Sequence, residues 1–212
     1  MSIDTLLSEI KTSKAIEEEK QYIMAHLKTI PAVATLAAYA PKREWFTTPT
    51  KIHGIMHETR VLVYVELLGQ MTYVEYKIDV ESLRYAAITH DVKRINDWYD
   101  FPHGARAAKW LLDTKPIPEQ YCLSTAEIVK WHVTQDIAIP KMTKELEVFK
   151  DADGLDRWRI GDLNTNYLRT SHSVNMVETA KALFLLSNAL KEQGAEDFTA
   201  VLESGRLLGI LQ

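Results

Sequence analysis

The stretch ESLRYAAITHDVKRINDWYDFPHGARAAKWLL, residues 81–112, decides how this chain is read. A helical run that Asp79 or Val80 opens ends on an adjacent pair, His90 and Asp91. INDWYDFP then reads as a loop, because Asn96, Asp97, Asp100 and Pro102 are turn formers. A second helix follows over about 103–113, and His103 opens it. Histidine is scarce, at 7 in 212 residues, so two of them flanking one loop call for an explanation. Adjacent side chains diverge by about 100° within a helix. At a helix terminus, both can aim at one ion from different sides.

Outward from this segment the apolar spacing stays helical. In residues 3–27, Ile3, Leu6, Leu7, Ile10, Ile16, Ile23 and Leu27 recur at helical steps and predict one helix. Residues 32–40 read as a short apolar helix closed by Pro41, and 41–50 as a loop. Residues 51–69 predict a second strong helix with Gly69 as its C-cap. On that helix His53 and His57, four apart, would share a face. Further helices are expected at about 118–133, 141–152 and 174–192, with a last short one near 195–204 and RIGDLN as a break. The expectation is an all-α, single-domain bundle of roughly eight helices over residues 1–212. Its core would be 50–175, with an N-terminal helix in 1–40 and C-terminal helices in 174–205 packing on it.

Composition narrows the function classes. Eight glycines and seven prolines are too few for a sandwich or barrel of many short strands. A net charge of −4 gives no global basic footprint for nucleic acid. One cysteine, Cys122, excludes an internal disulfide and a Cys-based zinc cluster, and it reads as a small buried residue. The longest strongly apolar run, VLVYVELL, contains Glu66 and is far too short to span a bilayer. The opening residues lack a basic start followed by an apolar segment, so no secretory signal is expected. The expectation is a cytoplasmic protein without a membrane or nucleic-acid partner. The N-terminal helix could pack on its own core or on a second copy, which leaves a homo-oligomer open.

More ligand-type residues lie elsewhere in the chain. His132 closes a helix after Trp131, and FKDADGLDR carries Asp151, Asp153 and Asp156 beside a glycine. Helical bundles build metal sites by converging imidazoles and carboxylates from several helices. Mixed His/Asp ligation suits Mn²⁺, Fe²⁺, Co²⁺, Ni²⁺ or Zn²⁺. Carboxylates in an apolar bundle carry a heavy desolvation cost unless a cation accompanies them. Singly these signals are weak: a His-Asp pair arises by chance, and DADGLD reads equally as a turn with an N-cap. Their weight lies in order and spacing together.

The order His57, His90-Asp91, then a distant Asp153 resembles the HD-domain superfamily of metal-dependent phosphohydrolases. Three segments carry the resemblance: HETRVLVYVELL, AAITHDVKRINDWYDFPHGARAAKWLL and FKDADGLDRWR, covering about residues 50–175. It implies that His57, His90, Asp91 and Asp153 hold one divalent transition metal. His53 competes for the first position and Asp151 for the last; the HxxRV and ADxLD frames favour His57 and Asp153. His103 and His132 match the two extra histidines of dinuclear branches, where Asp91 would bridge two ions. Without a second ion they would contact phosphate or a bound water. One position departs from the pattern. Some HD nucleotidases have a glutamate three residues after the HD aspartate, and here that residue is Arg94. A guanidinium is no base at neutral pH but a good phosphate clamp. Water activation would then fall to the metal, with Asp97 assisting.

The activity so implied is hydrolysis of a phosphate ester or anhydride, with Arg94, Lys93, Arg60 and His103 placed to stabilise phosphoryl charge. The substrate would be a small phosphorylated metabolite, a nucleotide first. Trp98 and Tyr99 either stack on a base or cap their loop on the core, the commoner role of aromatics. Arg169 either points into the site or pairs with a surface acid, and His26 and His172 read as structural or exposed. Two other classes use the same residues. A di-iron HD-type oxygenase would employ His57, His90, Asp91, His103, His132 and Asp153. A non-enzymatic sensor would bind metal or nucleotide without turnover.

Overall fold

The computed structural model describes residues 2–48 and 52–212. Among the described residues every regular element is helical, with eleven α-helices and several short 3-10 turns, against the roughly eight helices expected. The difference comes from breaks inside predicted helices. The run expected over 3–27 is α1 (Ile3–Thr12) and α2 (Lys14–His26), divided at Ser13. Ser13 ends one helix with its backbone N–H on Ile10 O and opens the next by accepting from Ile16 N. The helix expected over 32–40 is a single α-turn, α3 (Val33–Leu36), running into a 3-10 turn, Ala37–Tyr39. The loop expected over 41–50 contains a 3-10 turn at Arg43–Trp45; its end, and residue 51, lie outside the described residues.

The central helix is α4 (Ile55–Tyr76). It starts later and ends later than the sequence suggested. Gly54 is its N-cap, so His53 lies before the helix and shares no helical face with His57. Gly69 is interior and caps nothing. A Cβ there would lie 3.4 Å from both methyls of Val80, so its absence allows close packing. The left-handed cap falls instead to Lys77, at φ 56°.

After α4 come α5 (Val80–Ala87), α6 (His103–Thr114), α7 (Glu119–Trp131), α8 (Lys144–Leu155), α9 (Ser171–Val174), α10 (Val177–Glu192) and α11 (Asp197–Leu208). Helices α5, α8, α10 and α11 pack around α4, while α6 pairs with α7. The first two helices pack on α10. Residues 57–69 of α4 are all buried, which explains why this segment shows no polar stripe. Glu66, buried among them, is bidentate with Arg84 of α5 at 2.6 and 2.9 Å. That pair fixes α5 on α4 and sets the turn after α5, with His90 and Asp91, opposite His57. Among the described residues no helix is long and apolar enough to cross a membrane. Cys122 is free and buried.

Candidate metal centre

Helix ends bring the ligand-type residues together. His57 stands in the first turn of α4, and His90 and Asp91 lie in the turn after α5. His103 is the first residue of α6, His132 caps α7, and Asp153 is in the last turn of α8. His57, His90, Asp91, His103 and His132 are all buried.

Asp91 sits between two groups. His57 Nε2 is 3.0 Å from His90 Nε2 and 3.5 Å from Asp91 Oδ2. On the other side, His103 Nε2 is 3.0 Å from His132 Nε2 and 2.8 Å from Asp91 Oδ1. Each triad, His57–His90–Asp91 and Asp91–His103–His132, has donor atoms within 4.8 Å of one another and could hold a metal ion. Asp153 Oδ1 approaches His57 Nε2 at 3.4 Å.

The outer hydrogen bonds determine what faces inward. His90 Nδ1 donates to Ala87 O at 3.0 Å, His103 Nδ1 to Asp100 O at 2.5 Å, and His132 Nδ1 to Val129 O at 2.6 Å. A carbonyl only accepts, so these Nδ1 atoms carry the protons and each neutral ring presents a bare Nε2 inward. His57 is fixed likewise by Asp156, with Nδ1 2.8 Å from Oδ2. Burial first, then the neighbouring His57 and His132, pushes the His90 pKa down to about 3, so the ring is neutral at ordinary pH. Asp91 Oδ1 is buried without a hydrogen bond. With the rings in that neutral tautomer, the Nε2 lone pairs of four imidazoles and the Asp91 carboxylate converge on one another. A cation is the species that relieves such an arrangement, and the donor set fits a divalent transition metal. Phe149 of α8 closes the apolar wall, its ring edge-on to His90 and His132. Glu58, next to His57, is fully buried; burial, then the Asp91 charge, raises its pKa well above normal.

A cavity of about 560 Å³ opens over this cluster, with Asp91, Asp153, His103 and His132 among its walls. The other sequence candidates fall in different places. His53 lines the cavity and meets Asp97 at 3.0 Å, outside both triads. Asp151 is buried away from the cluster, where it accepts from the backbone of Arg169 and Thr170 and from the Ser173 hydroxyl. Arg169 accordingly pairs with Asp151 and Asp136. Arg94 lines the cavity, yet its Nε and Nη2 are engaged by the Asn96 and Trp98 carbonyls, leaving Nη1 toward His103 and Asp91. Lys93 turns away, with Nζ on Trp45 O at 2.6 Å and over the Trp110 ring. Arg60 is buried against Asp156 and has no place in the cavity wall. His26 and His172 meet Tyr22 far along the chain from these ligands.

Sequence reasoning missed three features. Asp156 orients His57. Arg157 and Arg159, on the 3-10 turn after α8, line the cavity. Gly104 lets α6 approach α7: a Cβ there would lie 2.7 Å from Val129 O, the carbonyl that fixes His132. The run DGLDRWR held the signal for the first two, since a charged turn after Asp153 has to put its side chains near it.

No family model matches the chain, and no curated protein matches it. Its fold is similar to the crystal structure of a protein from an uncultured Thermotogales bacterium, described as a predicted HD superfamily hydrolase. The two are 19% identical, the match covers 79% of this chain and 96% of that one, and the TM-score is 0.48.

Proposed function

We propose that this chain is a metal-dependent phosphohydrolase acting on a small phosphate ester or anhydride, a nucleotide first among candidates. One observation supports it above the rest: Asp91 lies buried between two pairs of imidazoles whose Nε2 atoms converge on it, with Oδ1 lacking a hydrogen bond. His57, His90, Asp91 and Asp153 would hold one divalent ion, and Asp91, His103 and His132 a second. A bound ion of this class supplies Lewis acidity and lowers the pKa of its water toward neutrality.

The chain's own residues do the remaining work. Arg159, held by Ile52 O and Asp156 O, and Nη1 of Arg94 lie on the cavity wall, where phosphoryl oxygens would gather, while Arg157 is paired there with Asp162. Arg94 also links the loop above the centre to Asp91, with Nη2 on Trp98 O and Nη1 3.7 Å from Asp91 Oδ1, so it would position as well as bind. Asp97, bonded to His53 at the cavity wall, would take a proton from the attacking water. Asp153, open to the cavity and 28% exposed in its side chain, faces the incoming substrate.

The test combines metal analysis of protein purified without added metal with phosphate release from a panel of nucleotides and an aryl phosphate. Release that depends on Mn²⁺, Co²⁺ or Ni²⁺, with both metal content and turnover lost in Asp91→Ala, is expected. Two irons per chain with oxygen uptake would overturn the proposal in favour of an oxygenase. Nucleotide binding without turnover under every metal would favour a sensor.

A further inference from the structure

We infer that the loop of residues 95–101 recognises a flat ring on the substrate, with Trp98 as its stacking surface; this rests on the phosphohydrolase reading above. Trp98, Tyr99 and Phe101 are 77, 74 and 71% exposed, so they do not cap their loop on the core. Three large aromatic rings left in water on one short loop is not what core packing produces. Among the described residues their ring contacts are with one another, Tyr99 edge-on to Trp98 at 5.5 Å and stacked on Phe101 at 5.9 Å. All three line the cavity that has Asp91 and Asp153 in its wall.

The backbone beneath the rings is fastened. Arg94 Nη2 donates to Trp98 O at 2.7 Å, and Trp98 N donates to Asn96 Oδ1 at 2.8 Å. Asp100 Oδ2 accepts from Ile95 N at 2.9 Å. The backbone that carries the rings is thus tied down beside the cluster. Arg94 spans both regions, with Nη2 on the loop and Nη1 3.7 Å from Asp91 Oδ1. An aromatic face accepts any planar π-system, so the loop would select for planarity and not for one base. The occupant is a phosphorylated compound whose aromatic end lies on Trp98 while its phosphate reaches the centre. The cavity, at about 560 Å³, has the size of a small-ligand site.

The experiment measures binding and turnover separately. Affinities for adenosine monophosphate and ribose 5-phosphate are taken by calorimetry on the metal-loaded wild type, Trp98→Ala and Trp98→Phe, with melting temperatures as a folding control. Phosphate release from both compounds is followed in parallel. Adenosine monophosphate should bind roughly tenfold more tightly than ribose 5-phosphate, a ratio in the range of one stacked base. Trp98→Ala should remove most of that ratio without changing ribose 5-phosphate binding, and Trp98→Phe should restore most of it. Equal affinities in the wild type, no binding of either compound, or equal losses of both in Trp98→Ala would overturn the inference. A Trp98-dependent preference with no phosphate released under any metal would keep ring recognition and remove the phosphohydrolase reading. Equal binding with metal-dependent release would do the reverse.

Discussion

His57 Nδ1 lies 2.8 Å from Asp156 Oδ2, and both side chains are buried, so this one bond determines which nitrogen of His57 faces the centre. The same carboxylate accepts from Arg60 at 2.5 and 3.1 Å. A residue outside the ligand triads therefore orients a residue inside one. Asp156→Asn keeps the shape but loses the charge that holds the His57 tautomer. Metal affinity should fall about 10- to 100-fold, the usual cost of losing such an outer partner. Competition against a chelating dye measures this. An unchanged affinity would show that His57 is oriented by packing alone.

Arg60 makes the complementary case. Its guanidinium is 4% exposed and engaged by Asp156, with Nη1 3.3 Å from Ser187 Oγ. Replacing it with methionine leaves Asp156 as a buried carboxylate without its main partner. Stability should fall by about 3–5 kcal/mol, as when one member of a buried pair is removed. Urea denaturation at neutral pH reads that loss. KM of the folded fraction should stay near the wild-type value, because Arg60 has no place in the cavity wall. A raised KM with unchanged stability would return Arg60 to the substrate-binding role its sequence context suggested.

How much of this was legible in the sequence differs by residue. His57, His90, Asp91, His103 and His132 could be singled out because histidine is scarce and because each but His57 was placed at a predicted helix end. Asp153 was separable from Asp151 only through its ADxLD frame. Distance now separates them: Asp151 holds the 169–173 segment and Asp153 approaches His57. Arginines were the harder problem. Arg60, Arg94 and Arg159 are alike in sequence, and only burial and partners distinguish a structural guanidinium from one open to a ligand. Gly69 misled and Gly104 went unread for a related reason. A glycine signals either a turn or a close approach, and here helix contacts at Val80 and at Val129 decide for close approach. Ser13 was overlooked because an N-cap inside an unbroken apolar pattern leaves the pattern intact.

Gly104 gives a direct test of how the second triad is built. The Cβ of Gly104→Ala would lie 2.7 Å from Val129 O and 3.3 Å from His132 Nδ1. Backbone cannot yield as a flexible side chain does, so α6 must move away from α7. Overpacking of this kind costs about 1–3 kcal/mol. The shift would also part His103 from His132, now 3.0 Å apart at Nε2. Thermal denaturation should show the stability loss, and metal content per chain should fall relative to wild type. Full metal content with only a lowered melting temperature would mean that the triad adjusts with the helix.

Asp100 sets a pH dependence for the aromatic loop. Burial alone would raise its pKa, but Arg106, at 2.5 Å, and the Ile95 N–H outweigh burial and hold the carboxyl below its usual value. A group with a lowered folded pKa stabilises fully above the unfolded value, about 3.9 for aspartate, and this contribution disappears as pH falls through the folded value. Wild type should melt above Asp100→Asn at pH 6, and the gap should close as the pH drops below about 4. Melts of both proteins across this range check the direction. A gap that widened on acidification would mean that the carboxyl is not held ionised by Arg106.

Removing metal should destabilise the whole bundle, and the reason lies in the same geometry that suggests the centre. The Nε2 atoms of His57 and His90 face each other at 3.0 Å, as do those of His103 and His132, with Asp91 between the pairs. Each Nδ1 is anchored to a carbonyl or carboxylate, so a neutral ring cannot turn its proton inward without breaking an outer bond. A cation bound only by the folded chain stabilises it by mass action, about 2.7 kcal/mol when present at a hundred times its Kd. Chelator treatment should therefore lower the melting temperature, and added Mn²⁺ should restore it in proportion to the logarithm of its concentration. In Asp91→Asn, which keeps the volume but loses the central charge, chelator and Mn²⁺ should have little effect. A wild-type melting temperature indifferent to both would leave the converged imidazoles without their cation and would count against a metal centre here.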